Sequence, residues 1–539
     1  MVSRLVRAGF GARLAAMLVA VAAAMPLAAV AQTVTRPFQA LRPASGPAAT
    51  AHALVVELSP REILSGVHLD VAPATAPAAG TQYAVWVNGR LAARTDASAS
   101  PQRIALAPAA FSPGVNSIQL ARVAPNTPDA SLNGQTAQNA AAPVDDARSS
   151  VSLDFAGLRP NPTPTLAQIP LAFDARALLP RTVTLDFGRR ALPSPERLRA
   201  AALAVQGIAA RMPHADVRVA WHGVDTKLAW YGSRDPASWA IDPDAAAAGD
   251  VLVIGTREAL ADSLPASVVA SIGGPSGAPF IGLYPANGGK SVIVVLSGTS
   301  DADCLRAAQA FADPAFVFPA RNGNANGAGN AITLDNTIAV HEPPTHRAIS
   351  LTGDAPLVRA AMNFAAIAAR HTGVPVDFTF AFPGRIASAD LLFSQDSAVS
   401  GRVRSALPVY PPLRPHEAVS VAADLGPHRL VAIIGNDEPS VEQSVDLLRG
   451  PAAWSLFNRG PVLFDTAEAS AIPLEAAKRS RVAALRLLLA DPAVFWPVLL
   501  ALLVLCGLFV NLALKAQVVR RLGEAGPSTH PDTPLKQKT

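Results

Sequence analysis

The stretch most like a phosphate-binding motif is Tyr284-Pro285-Ala286-Asn287-Gly288-Gly289-Lys290-Ser291, which ends in Gly-Lys-Ser. A phosphate loop needs a first glycine, where this chain has Tyr284, and must open a helix whose N-terminus faces the phosphates. Here the next residues, SVIVVLSG, read as a strand. The spacing therefore predicts a hairpin turn. His341-Glu342-Pro343-Pro344-Thr345-His346 has two histidines five residues apart with two prolines between them, which prevents one helix face from carrying both to a zinc ion. A solvated interdomain linker is the expectation. Gly-Gly-Pro-Ser-Gly at 273–277 reads as a loop, and no Gly-x-Ser-x-Gly nucleophile elbow occurs. Asp301 and Asp303 open a helix, where the macrodipole favours acids; paired catalytic carboxylates are the weaker alternative. Tyr83 and Trp86 are the possible glycan contacts, since a sugar's C–H face can lie on an aromatic ring. Strand alternation turns the two to opposite faces, so at most one faces solvent there and core packing is the expected fate of each. Nothing in these patterns asks for an enzyme.

The elements that would position these residues fall into three groups. Between 51 and 160, ALVVEL (53–58), VHLDV (67–71), QYAVWV (82–87), QRIALA (102–107), NSIQLAR (116–122) and VSLDFAG (151–157) read as short strands separated by turns. Asn88-Gly89 marks a type I′ hairpin and Pro113-Gly114 a second turn. This pattern predicts a β-sandwich or jelly roll, preceded by a Pro- and Ala-rich disordered segment at 32–50. From 165 to 320, strands alternate with helices: RTVTLDF (181–187), a helix at 195–212 capped by Ser194, VRVAW (217–221), GDVLVIGT (249–256), SVIVVLSG (291–298) and a helix at 301–312. Asn- and Gly-rich residues then open a linker, 321–347. From 348 to 468 the logic repeats. The helix 356–376 shares Arg-Ala-Ala and Ile-Ala-Ala-Arg with 195–212, ADLLFS stands where GDVLVIG stood, and HRLVAIIGN precedes a helix at 438–449. An internal duplication is the expectation; the bland alternative is that any two strand–helix units look alike.

The ends of the chain address a membrane. Arg4, Arg7 and Arg13 precede a short apolar run and the small-residue site Ala29-Val30-Ala31, the pattern of a signal peptide over 1–31 with Gln32 as mature N-terminus; an N-terminal anchor is the alternative. Residues 493–514 (AVFWPVLLALLVLCGLFVNLAL) hold Asn511 as their one strongly polar side chain, and such a helix is roughly 33 Å long, enough for one crossing. The tail 515–539 carries Lys515, Arg520, Arg521, Lys536 and Lys538, which places it in the cytoplasm and the bulk outside. Residues 474–490 form a helix whose Lys478, Arg479, Arg481 and Arg486 lie toward one side, suited to a membrane surface. A linker helix packed on its own domain is the alternative there, with Leu474 and Leu485 among the charges.

Composition agrees with folded, exported domains. The 539 residues exceed what one core accommodates. Only 16% are charged and the net charge is +5, without the basic clusters of a nucleic-acid binder. Cys304 and Cys506 are the only cysteines, and the second lies inside the expected span, so neither a disulfide nor a thiolate metal site is expected.

The order of parts resembles the periplasmic B subunit of bacterial cellulose synthase, a family often described as cyclic di-GMP-binding and regulatory. The resemblance is carried by VWVNGR (85–90) with SPGVNSIQL (112–120), by IPLAFD (169–174), and by PFIGLYP (279–285) with SVIVVLSGTSDADCLRAAQAF (291–311). It implies a jelly roll, two flavodoxin-like α/β domains, a surface helix and one inner-membrane span. It also implies a noncatalytic accessory subunit whose partner is a membrane glycosyltransferase using UDP-glucose, with a nascent β-glucan passing by. Cyclic di-GMP would sit on that partner, and this chain would hold neither cofactor nor metal. The contacts would fall on 474–490 and 493–514, with Trp496, Gly507 and Phe509 as anchor residues. One departure stands out: the family places a second jelly roll between its α/β domains, and Arg321 to Arg347 leaves room only for a linker.

Overall fold

A computed structural model describes residues 32–43, 53–124, 144–188, 193–221, 249–273, 277–318, 330–334, 340–353, 355–381, 389–425, 428–477 and 492–524, the last with side chains for 503–518 and 520. The signal segment, Arg479, Arg481, Arg486, the Trp496 side chain and the tail after 524 lie outside the described residues.

Among the described residues, eight strands form the first unit: β1 (Gln32–Pro37), β2 (Leu54–Leu58), β3 (Glu62–Val71), β4 (Gln82–Val87), β5 (Arg90–Asp96), β6 (Gln102–Leu106), β7 (Gly114–Val123) and β8 (Ser150–Leu158). They make two four-stranded sheets, β1-β8-β3-β6 and β2-β7-β4-β5, with every pair antiparallel. This is the eight-strand, double-sheet order of a jelly roll. Alternation supplies its core: Val67, Leu69 and Val71 of one sheet and Tyr83, Val85 and Val87 of the other share one buried cluster. Asn88 and Gly89 adopt φ of 52° and 77°, the left-handed pair that a type I′ turn requires. One expectation is corrected here. The segment after Gln32 is an ordered strand, its register running from Gln32 opposite Phe155 to Pro37 opposite Ser150, and it delivers Phe38 into the core. Pro and Ala composition suggested disorder, but Val34 and Phe38 have apolar surface to bury.

The second unit contains β9 (Arg181–Asp186), α1 (Pro195–Arg211), β10 (Val217–Ala220), β11 (Asp250–Thr256), β12 (Phe280–Ala286), β13 (Ser291–Gly298), α2 (Asp301–Ala312) and β14 (Ala331–Thr333), in the sheet order β10-β9-β11-β13-β12-β14. The third contains β15 (His346–Leu351), α3 (Ala355–Thr372), β16 (Asp377–Ala381), β17 (Leu391–Gln395), β18 (Glu417–Leu425), β19 (His428–Gly435), α4 (Glu438–Leu447), α5 (Pro451–Arg459), β20 (Val462–Asp465) and β21 (Ser470–Pro473), ordered β16-β15-β17-β19-β18-β20-β21. Strand by strand, the first six positions match in order and sense. In each unit four strands are parallel, and the fifth position is antiparallel to both neighbours. The shared topology is what an internal duplication would leave. It departs from an all-parallel flavodoxin-like sheet because β12–β13 and β18–β19 are joined by turns too short for a crossover, and only an antiparallel pair can be so joined. The linker is also shorter than expected: Ala331–Thr333 adds a strand to the first α/β sheet and His346 already begins the next.

Ser194 caps α1 by accepting from Arg197 N, with Pro195 at the first helical position. From Ala200 to Ala209 every residue of α1 is buried, the mark of a helix covered on all sides. One side lies on its own sheet. The other packs against α3, so both α/β units share a single hydrophobic cluster. After β21, Leu474 and Ala477 are each 2% exposed and insert among Val419, Leu430 and Leu463. The start of the expected surface helix is therefore packed on its own domain. The last element is α6 (Pro492–Glu524). Among the described residues no helix is long and apolar enough to cross a membrane; the described side chains of α6 begin at Leu503, part-way into the expected span 493–514.

Candidate functional site

The sequence motifs that resemble catalytic or nucleotide sites are spent on structure. Asn287, Gly288 and Gly289 form a left-handed turn between β12 and β13, with φ of 47°, 62° and 85°. The Gly-Lys-Ser ending therefore lies in a hairpin, as its spacing implied. His341 and His346 do not converge: Nδ1 of His341 lies 2.8 Å from Asp313, and Nδ1 of His346 lies 2.7 Å from Asp377. Among the described residues no group of three His, Cys, Asp or Glu could hold a metal. Tyr83 is 0% and Trp86 4% exposed. Tyr83 lies between the jelly-roll sheets, and Trp86 packs on the outer face with Ala84 and Ala121. Neither ring offers a face to a sugar.

An open α/β sheet binds ligands beyond the carboxyl ends of its strands, where the order reverses. In the second unit the described residues approach closely there at one point. A Cβ on Gly188 would meet Ala259 O at 2.4 Å, and Thr256 caps a short helix, Arg257–Leu260. The nearby helix ends carry acids that are already bonded. Asp301 accepts from Ser194 Oγ and Arg197 Nε, both at 2.7 Å. Asp303 closes a capping box with Ser300 and also accepts from Thr299. In the third unit Thr352 donates to Ser394 at 2.8 Å, and Asp437 caps α4. Carboxylates at these helix starts oppose the phosphates that such ends otherwise attract. Cys304 is inert by the same packing: burial, with Asp301 close by, pushes its thiol up to about 12.

A polar cluster that the sequence reading passed over lies where the jelly roll meets the second unit. Arg61, 5% exposed, donates through Nη2 to the carbonyls of Gly289 (2.9 Å) and Lys290 (3.1 Å), which ties β3 to the β12–β13 turn. Glu62 is also 5% exposed; its Oε1 accepts from the main-chain N–H of Leu178 (2.8 Å) and Leu179 (2.7 Å) on the strand-to-strand connector. Ser59 Oγ and the Arg176 guanidinium converge on Asp174. Arg181 lies 3.6 Å from Asp250. Burial raises the Glu62 carboxyl against the pull of the Leu179 and Leu178 N–H groups and of Arg181. Burial and the neighbouring Arg181 lower Arg61. Beside Glu62 a cavity of about 260 Å3 opens between β3 and the 108–113 loop. The one signal in the sequence was the adjacent pair of charges Arg61-Glu62 at the start of a strand.

The other outstanding surface is α6. Leu503, Val504, Leu505, Leu508, Phe509, Val510, Leu512, Leu514 and Val518 are each at least half exposed, with Phe509 at 76%. A Cβ on Gly507 would meet nothing within 4 Å. So large an apolar surface, on all sides of a helix, calls for a non-aqueous or protein environment.

No protein-family model and no curated protein matches the chain. Among solved structures it has a faint likeness to a family two carbohydrate esterase from Cellvibrio japonicus, with 12% identity and a TM-score of 0.13 over 36% of this chain and 54% of that one. A family two carbohydrate esterase from Clostridium thermocellum in complex with cellohexaose gives 11% identity and 0.09 over 38% and 60%. The chain thus spans between half and two thirds of those structures, at scores that carry no argument about fold or activity.

Proposed function

We propose that the chain is a noncatalytic accessory subunit of a cellulose-type synthase complex, held at the inner membrane by 493–514 with its folded units in the periplasm. The observation that carries the reading is α6, a helix of 33 residues whose described apolar side chains face outward after three packed units. Its order of parts, a jelly roll followed by two α/β units and a terminal apolar helix, resembles that of the B subunit of that complex without the second jelly roll that the family places between its α/β domains. The partner is a membrane glycosyltransferase, and any cyclic di-GMP acts there rather than here.

The test is co-purification in mild detergent. The expected result is that a glycosyltransferase travels with the intact chain and is lost when 474–514 are exchanged for an unrelated apolar helix, with polymer output falling in the same cells. Full output from the exchanged chain overturns the assignment and favours the alternative, a membrane-tethered periplasmic carbohydrate-binding or carbohydrate-active protein that works alone.

A further inference from the structure

The three folded units meet at a basic corner that the proposed role does not use. The turn between α1 and β10 presents the carbonyls of two neighbouring residues, Pro213 and His214, and an arginine from each of the other units lies on it. Arg36 of β1 donates through Nη2 to His214 O at 2.7 Å, and Arg370, in the last turn of α3, donates through Nε to Pro213 O at 3.2 Å. Among the described residues Arg36 has no carboxylate partner, and its hydrogen bonding ends on that carbonyl. Arg370 has only a share in one: Asp216 lies 3.5 Å from it but closer to Arg449 (2.8 Å) and Arg218 (3.0 Å). Of the other acids, Asp446 is taken by Arg449, and Glu57, which acts on His214, also acts on Arg176. Like charges therefore crowd the corner. Burial and then Arg370 hold Arg36 below its ordinary value; burial, Arg36 and Arg370 hold His214 below its own against the pull of Glu57. Both arginine bonds lie at the surface and His214 is exposed, so solutes reach all three groups. Two planar guanidinium forks with N–H groups to spare, next to an imidazole that can gain a proton, form a donor set for a tetrahedral oxyanion.

We propose that this corner binds a phosphate dianion, bridged between Arg36 and Arg370 with His214 as a third donor, and that the bound anion ties the jelly roll to both α/β units. A monocarboxylate has oxygens for one fork, whereas a phosphate group has oxygens for both and a second charge to match the second guanidinium. The proposal does not rest on the assignment of function.

The experiment titrates the detergent-solubilised full chain with inorganic phosphate at constant ionic strength, following the His214 ring by NMR across pH and unfolding by thermal melts. Saturable binding is expected, with the His214 titration midpoint moved up, because a neighbouring dianion favours the imidazolium. Sulfate should compete and chloride should not. Arg36→Gln and Arg370→Gln should each weaken phosphate binding about tenfold, whereas Arg218→Gln, which removes the same charge from an exposed partner of Asp216, should change it less than about threefold. A second arm uses micelles doped with phosphatidic acid. A shift with inorganic phosphate supports a soluble ligand, a shift with phosphatidic acid alone supports a lipid headgroup, and both sustain the site. No saturable shift with either, in a chain that melts cooperatively, overturns the proposal. So does binding that Arg36→Gln and Arg370→Gln both retain in full, or that Arg218→Gln weakens equally.

Discussion

The carboxamide of Gln206 bonds both main-chain groups of Val376: Nε2 donates to the carbonyl at 2.8 Å, and Oε1 accepts the N–H at 2.7 Å. Gln206 belongs to α1 of the second unit and Val376 leads into β16 of the third. The exchange is returned. Asn363 on α3 accepts from Val219 N at 2.9 Å and donates to Val219 O at 3.1 Å, on β10 of the second unit. Both β10 and β16 are edge strands, so each α/β unit closes the other's open sheet edge with a side-chain amide. Arg199 reinforces one half of the seam with a bidentate bond to Asp377, which is 0% exposed, and Arg359 reinforces the other by donating to Trp221 O at 2.8 Å.

Gln206→Ala leaves a part-buried peptide N–H and carbonyl without their protein partner, at about 1–2 kcal/mol for each group. Gln206→Ala and Asn363→Ala should each lower unfolding stability by about 2–4 kcal/mol. The double variant should split one denaturant transition into two as the α/β units part. A single unchanged transition in urea would show that the amides do not govern the seam.

Gly289 sits at φ +85°, and a Cβ there would lie 2.6 Å from the Asn161 carbonyl carbon. Gly288, at φ +62°, faces open space. Gly289→Ala should therefore destabilise clearly more than Gly288→Ala, which carries only the backbone cost of about 1 kcal/mol. Thermal melts of the two variants make the comparison.

Asp216 gathers Arg449 at 2.8 Å, Arg218 at 3.0 Å and Arg370 at 3.5 Å. Burial would raise its carboxyl, but Arg449 and Arg218 outweigh burial and hold it below the usual carboxylate value. A carboxyl depressed in the folded state adds stability above its unfolded value near 4, and that stability is lost as pH falls through the lower folded value. Asp216→Asn should cost about 1–3 kcal/mol at pH 7 and flatten the acid limb of the stability curve below pH 4. Denaturation midpoints across pH 2–7 test it.

Cys304 titrates in the opposite sense. Its thiol is pushed up to about 12 when folded, so the unfolded chain ionises first and stability falls as pH rises from about 9. At pH 8 an alkylating reagent should leave Cys304 unmodified in the native protein and modify it on unfolding. Peptide mass analysis before and after denaturant reads the outcome; rapid native modification of Cys304 would contradict its packing.

Much of the architecture was legible because local patterns set it. QYAVWV and DADCLRAAQAFA form β4 and α2 at the boundaries their periodicity implied, and Asn-Gly made the hairpin. What the sequence hid was long-range. Gln206 stands in a run of alanines and its partner lies 170 residues away, so no local spacing could mark it. Ala331–Thr333 is too short and too Asn/Gly-flanked to read as a strand, yet β12 offers it an edge. Arg61 and Glu62 carry no local mark of burial, because Arg61 bonds a turn 228 residues downstream and Glu62 the Leu179 N–H 117 residues downstream. Tyr83 and Trp86, scarce aromatics in a strand, are both packed, the fate that strand alternation led one to expect over sugar contact.

The jelly roll's first strand finds its partner only at its last: Thr33 donates to Asp154 across 121 residues. A ribosome delivers β1 well before β8 exists, and closing so long a loop is entropically slow. Until then Val34 and Phe38 stay sticky and unsheltered, which invites escort by a chaperone during the interval. The N-terminal unit, first made, is thus the one that must wait for its own far end before it can lock shut.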